Sequence, residues 1–324
     1  MEGKMLYLSR ADVEASGVGM EEIISAVEAV FREKGDGKVE MPPKPGVHSR
    51  PDAFIHAMPA FIPAVGALGM KWVSGYPENF KRGIPYINGL IVLNDVDTGV
   101  PIAVMDCVWV TAMRTGAATA VSAKYLARER SRTLGILGAG VQGYTNLLAL
   151  KVLFPIEKVV AYDVNTDALD RYVKKVNAKW PDIEVIRANE PRQAVEGLDM
   201  VVTAGPILKQ PHATIKAEWL SPGAFASLVD FDSYWSGAAL NEADKFITDD
   251  LLQLEHYRQV GYFQSIPPIY GDLGEVVTGR KPGRQSEKER ILACNLGLAI
   301  EDMATAMLIF KNAYAKGIGV ELDL

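Results

Sequence analysis

The spacing of apolar residues predicts a helix near the start of the chain and a group of strands after it. Residues 20–34 (MEEIISAVEAVFREK) carry apolar side chains at helical spacing, with charged side chains on the opposite face. From about residue 53 to residue 107, short β-forming runs are separated by turns that contain Pro, Gly or Asp. We therefore predict an amphipathic helix followed by a meandering, largely antiparallel sheet.

A different pattern follows, in which buried strands alternate with helices. Residues 110–129 (VTAMRTGAATAVSAKYLARE) are rich in alanine, which is typical of a closely packed helix. The candidate strands after it are TLGIL, KVVAYD, IEVIR, MVVTAG, AFASLVD and KFITDD, with helical stretches such as DALDRYVKKVNAKW between several of them. This alternation predicts an α/β fold with a doubly wound parallel sheet of Rossmann type, covered by helices on both faces.

The chain length and the last helical stretch complete the predicted organisation. A chain of 324 residues favours two domains. The final stretch places one apolar stripe on a helix that can pack back on the amino-terminal part, through Ala299, Met303, Ala306, Phe310 and Tyr314. We predict a smaller α+β domain over residues 1–117, the parallel-sheet domain over 118–295, and a returning C-terminal helix over 296–324.

Composition and charge restrict the partners and the compartment. Hydrophobic residues make up 48% and charged residues 23% of the chain, as in ordinary soluble proteins. A net charge of -6 argues against nucleic acid as a partner, because phosphate binding needs clustered Lys and Arg. The two cysteines, Cys107 and Cys294, fit a reducing compartment, and no segment has the length of a signal peptide or a membrane span. We expect a cytoplasmic protein that acts on small molecules, away from membranes.

A glycine-rich turn marks a candidate cofactor site. In residues 134–146 (LGILGAGVQGYTN) an apolar run ends in Gly138, Gly140 and Gly143. In dinucleotide-binding domains the first two such glycines allow a tight turn close to a pyrophosphate, and the third allows close packing of the next helix. Asp163 comes twenty residues after Gly143, at the end of the next strand, where a carboxylate can accept hydrogen bonds from a ribose diol and repel a 2′-phosphate. This spacing favours NAD over NADP, whereas the simpler alternative is a tight turn with Asp163 as a helix cap.

Several motifs that run in order along both domains carry a family resemblance. They are MPPK, MPA, MKWVSGYPEN, AVMDCVWVTAMRTGAATAVSAKYLAR, GAGVQG, GEVVTGRKPGR and GLAIEDMA. With these motifs the chain resembles the ornithine cyclodeaminase and μ-crystallin family, and especially its archaeal-type alanine dehydrogenase branch. The resemblance implies a Rossmann domain that binds NAD(P), a substrate and dimerisation domain built from both chain ends, a substrate between them, and a homodimer.

The resemblance also implies which residues hold a substrate carboxylate. It assigns this role to Lys71 and Arg114, with Lys44 as a third cation. A guanidinium can bind a planar carboxylate at two points, and a lysine within an apolar strand requires an anion, although a surface cation on an apolar stem is the alternative for each. His56 falls where the alanine dehydrogenase branch typically carries arginine, so the identity of the amino acid stays open.

The acid-base residue implied by the family falls in an altered loop. In GAFASLVDFDSYWSG the family's aspartate aligns with Asp232, while Asp230 stands where glycine is usual and the Gly-Lys pair is absent. Asp232, Asp230 and Lys71 are the catalytic candidates, and a helix or turn cap is the alternative for both acids. The further cofactor residues that the resemblance implies are Arg114, Thr115, Val141, Gln142, Thr203, Gly205, Val229 and Asn295. The four histidines have no metal-ligand spacing, so no metal centre is predicted.

Three functions agree with these residues. The first is an NAD-dependent dehydrogenase of a small L-amino acid, or an imine reductase, because hydride transfer at the α-carbon needs an anchored carboxylate and a base beside the amine. The second is a cyclodeaminase, a lyase in which the terminal amine of ornithine or a related diamino acid attacks the imine, ammonia leaves and the hydride returns from recycled NAD. The third is a non-catalytic protein that binds NAD(P) or another ligand.

Overall fold

The chain folds into two compact units. The computed structural model describes residues 3–50 and 52–324, and for residue 80 the backbone only. Unit 1 comprises Met1–Arg114 with Gly297–Leu324, and unit 2 comprises Thr115–Leu296. Each unit has its own sheet, and the boundary after Arg114 falls inside a helix.

The elements are numbered in chain order. The strands are β1 (Lys4–Leu8), β2 (Gly46–Val47), β3 (Phe54–Ile62), β4 (Ala67–Gly75), β5 (Ile87–Asn94), β6 (Pro101–Asp106), β7 (Thr133–Leu137), β8 (Lys158–Tyr162), β9 (Glu184–Arg187), β10 (Met200–Thr203), β11 (Phe225–Leu228), β12 (Lys245–Thr248), β13 (Gly271–Asp272), β14 (Ile291–Cys294) and β15 (Val320–Asp323). The α-helices are α1 (Arg10–Ala15), α2 (Met20–Gly35), α3 (Val108–Leu126), α4 (Val141–Leu153), α5 (Thr166–Lys179), α6 (Gly237–Leu240), α7 (Leu251–Gln259), α8 (Leu273–Val277) and α9 (Ala299–Lys316). Among the described residues, none of these helices has the length and apolar character that crossing a membrane requires.

Unit 1 is built on a seven-stranded sheet in the order β15-β1-β6-β5-β4-β3-β2. Strands β3 to β6 form the predicted antiparallel meander, and β1 joins it by a parallel pairing with β6. Alternate residues of β4 are buried, as expected when one face of a sheet is covered. This alternation places Lys71 on the covered face.

Helices α2 and α9 provide that cover. The apolar stripe predicted for residues 20–34 is fully buried in α2, which contacts α9. Helix α9 also contacts β3, β4 and β5, so it packs on strands of the amino-terminal part. The predicted stripe on α9 holds at Ala299, Met303 and Ala306, but Tyr314 near the helix end is 56% exposed.

Unit 2 is built on an eight-stranded parallel sheet in the order β13-β12-β14-β11-β10-β7-β8-β9. Every residue of β10, β11, β12 and β14 is buried, which is typical of a sheet with helices on both faces. The strand order reverses between β7 and β10, the position where open parallel sheets bind ligands. Strand β14 has no counterpart among the predicted strands, although it is as short and as completely buried as β10 and β11.

Candidate active site

The glycine-rich turn of unit 2 has the backbone that dinucleotide binding requires. It joins β7 to α4, and Gly138 has a φ of +101°, which favours glycine. A Cβ on Gly143 would lie 2.3 Å from the carbonyl oxygen of Gly138, so only glycine lets α4 start this close to the turn. A Cβ on Gly140 would meet no atom within 4 Å, so the backbone there borders open space. These are the three roles that the motif assigns to its glycines.

Asp163 lies against the same turn, directly after β8. One carboxylate oxygen accepts a hydrogen bond from the backbone N–H of Ala139 at 2.7 Å, and the other accepts one from Asn165 at 2.8 Å. Strands β7 and β8 are neighbours in the sheet, which explains why these residues meet. Val141, in the first turn of α4, is 65% exposed, and Gln142 beside it is partly exposed. An NAD pyrophosphate beside Gly140 and a ribose beside Asp163 therefore fit the residues present.

The carboxyl ends of β10 and β11 bring a second group of candidates together. The Thr203 hydroxyl donates a hydrogen bond to Asp230 at 2.6 Å, and the Gly205 N–H donates one to the same carboxylate at 3.2 Å. The indole N–H of Trp235 donates to the Thr203 hydroxyl at 3.2 Å. Asp230 therefore ties the end of β10 to the loop after β11. Val229, which begins this loop, donates its N–H to the Thr203 carbonyl at 2.9 Å.

Asp232 lies in the same loop but has a different environment. It is 3% exposed, and its Oδ1 has no hydrogen-bond partner in the structure. Burial raises the pKa of Asp232 to about 6 and that of Asp230 to about 7. Asp232 also lines a pocket of about 220 Å³ within unit 2, together with Lys209, Trp235 and Gln264.

The backbone between the two acids is strained. Phe231 has a φ of +61°, a conformation that costs energy for a bulky side chain. Its ring is 2% exposed and packs edge-on against Tyr257 with the centroids 4.9 Å apart, which holds the backbone in this conformation. The carboxylates on either side of Phe231 have different surroundings, because both oxygens of Asp230 accept hydrogen bonds whereas Asp232 lines the pocket.

Thr115 and Asn295 complete the candidates of unit 2. Both are buried, Thr115 in α3 and Asn295 directly after β14. The Asn295 side chain accepts a hydrogen bond from the Ser122 hydroxyl at 3.2 Å and donates one to the Ser227 hydroxyl at 3.5 Å. Asn295 is thus fixed at the carboxyl edge of the parallel sheet.

Unit 1 contains a buried cluster of four charged side chains, which we call the charge cluster: Lys71, Arg114, Glu301 and Asp302. Asp302 Oδ1 accepts hydrogen bonds from Lys71 Nζ at 2.6 Å and from Arg114 Nε at 2.9 Å. Glu301 Oε2 accepts one from Arg114 Nη1 at 2.7 Å. Lys71 is 1% exposed, Arg114 is 6% exposed, and both acids are fully buried.

The sequence reasoning assigned the two cations of the charge cluster but not its acids. Burial, and then the neighbouring guanidinium of Arg114, lowers the pKa of Lys71. Burial raises the pKa of Glu301. Among the described residues, neither Glu301 Oε1 nor Asp302 Oδ2 has a hydrogen-bond partner. One feature of the sequence could have indicated the buried acids: in GLAIEDMA the pair Glu301 and Asp302 directly precedes Met303, a residue of the apolar stripe of the last helix.

Lys44 and His56 lie in the same unit. Lys44 is 7% exposed, and its Nζ donates a hydrogen bond to the Gly297 carbonyl at 2.9 Å. A Cβ on Gly297 would lie 2.5 Å from Arg114 Nη1, so this glycine adjoins both cations. His56 is partly buried and stacks on Phe54 with the ring centroids 4.3 Å apart. Unit 1 thus places Lys44, Lys71 and Arg114 close together in its interior.

The fold and these two groups of residues define a class of protein: a Rossmann-type dinucleotide-binding unit together with a unit that buries several cations. The family follows from comparison with known proteins. Residues 4–317 match the ornithine cyclodeaminase/mu-crystallin family, and the chain belongs to that family. The resemblance noted in the sequence is thereby confirmed.

Relatives with named activities cover the chain almost completely. Alanine dehydrogenase from Archaeoglobus fulgidus is 35% identical over 329 residues, which are 98% of each chain. The solved structure of Thermococcus litoralis Δ1-pyrroline-2-carboxylate reductase, in complex with NADH and L-proline, is 34% identical with a TM-score of 0.87, over 98% of this chain and 99% of that chain. An archaeal alanine dehydrogenase dimer with bound NAD is 33% identical with a TM-score of 0.88, over 99% of each chain. The predicted fold class is confirmed, and both solved relatives carry NAD or NADH.

Proposed function

We propose that the chain is an NAD-dependent oxidoreductase that acts on the CH–NH2 group of a small L-amino acid, or in reverse on the corresponding imine. The observation that carries this proposal is the pairing of Lys71 and Arg114 on one carboxylate oxygen of Asp302, because it fixes two buried cations side by side. The names of the relatives, an alanine dehydrogenase and a pyrroline-2-carboxylate reductase, support the same class of reaction.

The proposed role of unit 1 is to orient the substrate through its carboxylate. Asp302 and Glu301 hold Arg114 through Nε and Nη1, so the plane of the guanidinium is set before a ligand arrives. Lys71 is held beside it, and Lys44 adds a third cation near Gly297. Because these cations are already held in place, binding a carboxylate does not cost the conformational entropy that flexible side chains would lose. A carboxylate held at fixed points also limits the directions in which the α-carbon of the substrate can face.

The proposed role of unit 2 is cofactor binding and proton transfer. NAD, when bound, supplies the hydride acceptor for the α-carbon. Asp232 accepts a proton from the α-amine, for which its buried and unpartnered Oδ1 and a pKa of about 6 are suited near neutral pH. Asp230 has both carboxylate oxygens engaged, so we assign it the positioning of Thr203 and Gly205 rather than the proton transfer.

We also propose that two copies of the chain associate through the uncovered face of the unit 1 sheet. Trp72 on β4 is 45% exposed and lies opposite Leu90 on β5, which is 44% exposed. Paired large apolar side chains on one open sheet face are typical of an interface. The archaeal relative solved as a dimer supports this assembly. The two cysteines are free and buried, which supports a cytoplasmic location.

The reaction is tested by incubating the protein with NAD and a panel of L-amino acids while NADH and free ammonia are both measured. Net NADH is expected, whereas ammonia and a cyclic product with only catalytic NAD would instead identify a cyclodeaminase. NAD binding with neither product would identify a non-catalytic binding protein.

An Arg114→Ala variant tests the substrate role separately. We expect its KM for the amino acid to rise by about tenfold to a hundredfold, because charged hydrogen bonds contribute about 1.5–3 kcal/mol. Its affinity for NAD is expected to stay near that of the wild type. Arg187→Ala, which removes a half-exposed surface arginine, is the matched control. An equal loss of both affinities would contradict the role assigned to Arg114.

A further inference from the structure

The charge cluster of unit 1 is balanced before any substrate arrives. Its cations, Lys71 and Arg114, are matched by its acids, Glu301 and Asp302, and all four side chains are at least nine-tenths buried. A substrate carboxylate that binds to the cations would add one negative charge to this interior. Lys44 at Gly297 adds a further cation nearby, but a carboxylate that binds to Arg114 shares that guanidinium with Glu301, and two carboxylates that share one site favour the protonation of one of them.

The contacts within the cluster distinguish its two acids. Asp302 Oδ1 accepts hydrogen bonds from both cations, at 2.6 Å and 2.9 Å, so two positive charges hold it in place. Glu301 has an ion pair with Arg114 alone, and its other oxygen, Oε1, is buried without a hydrogen-bond partner. A second carboxylate drawn to Arg114 would compete directly with Glu301 for that guanidinium. Glu301 is therefore the acid whose charge is most easily lost.

The groups around Glu301 come from several elements of unit 1. Helix α9 contacts α1, α2, β3, β4 and β5, and Arg114 reaches it from α3. The titratable or charged groups facing this region are Lys71 from β4, Arg114 from α3, Cys107 from the turn before α3, His56 on the inner face of β3, Lys44 at Gly297, and Asp302 on α9 itself. Helices α1 and α2 and strand β5 bury apolar residues. Burial already raises the pKa of Glu301, so it takes up a proton more readily than an exposed glutamate does.

We propose that Glu301 takes up one proton from solvent when a substrate carboxylate binds to Lys71 and Arg114. This inference rests on the carboxylate site of the proposed function. The proton is released by a buffer acid, which is left as its conjugate base, and forms an O–H bond at the unpartnered Oε1, so the net charge of the four-residue cluster with its ligand stays at zero. Glu301 is thus a positioning residue that acts through Arg114. Since binding and protonation are linked, affinity for the carboxylate falls by up to tenfold per pH unit where free Glu301 is ionised.

The proton is counted by isothermal titration calorimetry at pH 8 in phosphate and in Tris, whose ionisation enthalpies differ. The NAD-saturated protein is titrated with the 2-oxo acid of the amino acid that it oxidises, a probe that has a carboxylate but no amine proton. We expect an uptake of about one proton in the wild type and in Glu21→Gln, an exposed glutamate of unit 1. We expect uptake near zero in Glu301→Gln, with an affinity that is constant from pH 7 to pH 9. Equal uptake in wild type and Glu301→Gln, or none in the wild type, would overturn the proposal.

A second measurement needs no variant. Infrared difference spectra of the wild type, labelled with ¹³C at glutamate carboxyl groups, are expected to show a protonated carboxyl band that appears on ligand binding and carries the isotope shift. Absence of a shifted band would overturn the proposal even if Glu301→Gln did not fold. If no amino acid is oxidised, the proposed function fails, and pyruvate alone is the carboxylate probe. Binding of pyruvate with proton uptake would then support the inference independently, and no binding would overturn it.

Discussion

Replacing Asp302 by asparagine removes the charge that compensates Lys71. The substitution keeps the shape of the side chain but leaves a cation that is 1% exposed without a carboxylate partner. Breaking one side of a buried ion pair typically costs about 3–5 kcal/mol. The loss of stability has an upper limit, because Lys71 can lose its proton rather than remain as an unpaired buried cation. From its ordinary pKa of 10.5, neutralisation at pH 7 costs about 5 kcal/mol at 1.36 kcal/mol per pH unit. We therefore expect Asp302→Asn to lower the free energy of unfolding of unit 1 by about 3–5 kcal/mol.

The loss is expected to shrink as the pH rises. In the variant Lys71 is neutral when folded and charged when unfolded, so the unfolded state binds one more proton. The stability of the variant then increases by about 1.4 kcal/mol per pH unit between pH 7 and the ordinary pKa of lysine. In the wild type burial also lowers the pKa of Lys71, but Asp302 opposes this shift, so the increase with pH is expected to be smaller than in the variant.

The measurement is urea unfolding at pH 7 and pH 9, combined with hydrogen exchange by mass spectrometry. Peptides from β4 and α9 report unit 1 separately, because two units need not unfold together. Asp170→Asn is the matched control, since it breaks an ion pair with Arg187 in which both side chains are about half exposed. Such surface pairs contribute about 0–1 kcal/mol. Equal losses for the two variants, or a loss at Asp302 that does not change with pH, would refute the reasoning.

Three further predictions concern unit 2. Asp163→Ser removes the carboxylate that would repel a 2′-phosphate, so the ratio of kcat/KM for NADP to that for NAD should rise about tenfold, and an unchanged ratio would contradict the basis for NAD. Asp232→Asn should lower kcat by about 10² to 10⁴. It should also abolish the rise in the rate of amino-acid oxidation as the pH passes about 6, because a base acts only when it is deprotonated. If the variant retained this rise, another residue would be the base. Gly143→Ala should lower the melting temperature, because the added Cβ would lie 2.3 Å from the Gly138 carbonyl oxygen. Gly140→Ala should leave the melting temperature unchanged but weaken NAD binding in a fluorescence titration. Equal melting temperatures for the two glycine variants would contradict the separate roles of these glycines.

Local sequence patterns predicted most of the fold. The alternation along β4 reflects a sheet with one covered face, and the continuous apolar runs of β10 and β11 reflect a sheet with two covered faces. Both patterns can be recognised within a few consecutive residues. The glycine turn is local as well, because its three roles depend on one strand and the helix after it. Strand β14 is not among the predicted strands, and its place between β11 and β12 is set by pairing rather than by its order in the chain.

The charge cluster shows what local patterns do not reveal. Acidic residues in the first turn of a helix ordinarily interact with the helix dipole, and Glu301 and Asp302 have that position in α9. Their burial depends on Lys71 and Arg114, which lie 231 and 188 positions from Asp302 in the chain. The hydrogen bonds between Asp230 and Thr203 likewise join two strands that are adjacent only in the folded sheet.

The division of the chain has a consequence for biosynthesis. Unit 2 is one continuous segment and can fold while the ribosome is still adding residues, whereas unit 1 begins the chain and is completed by its end. Until α9 and β15 emerge, β1 lacks one neighbour and Lys71 lacks its counter-ion. The amino-terminal part of unit 1 is therefore translated before unit 2 but completed only after it, and its sheet stays without the cover of α9 while unit 2 is synthesised.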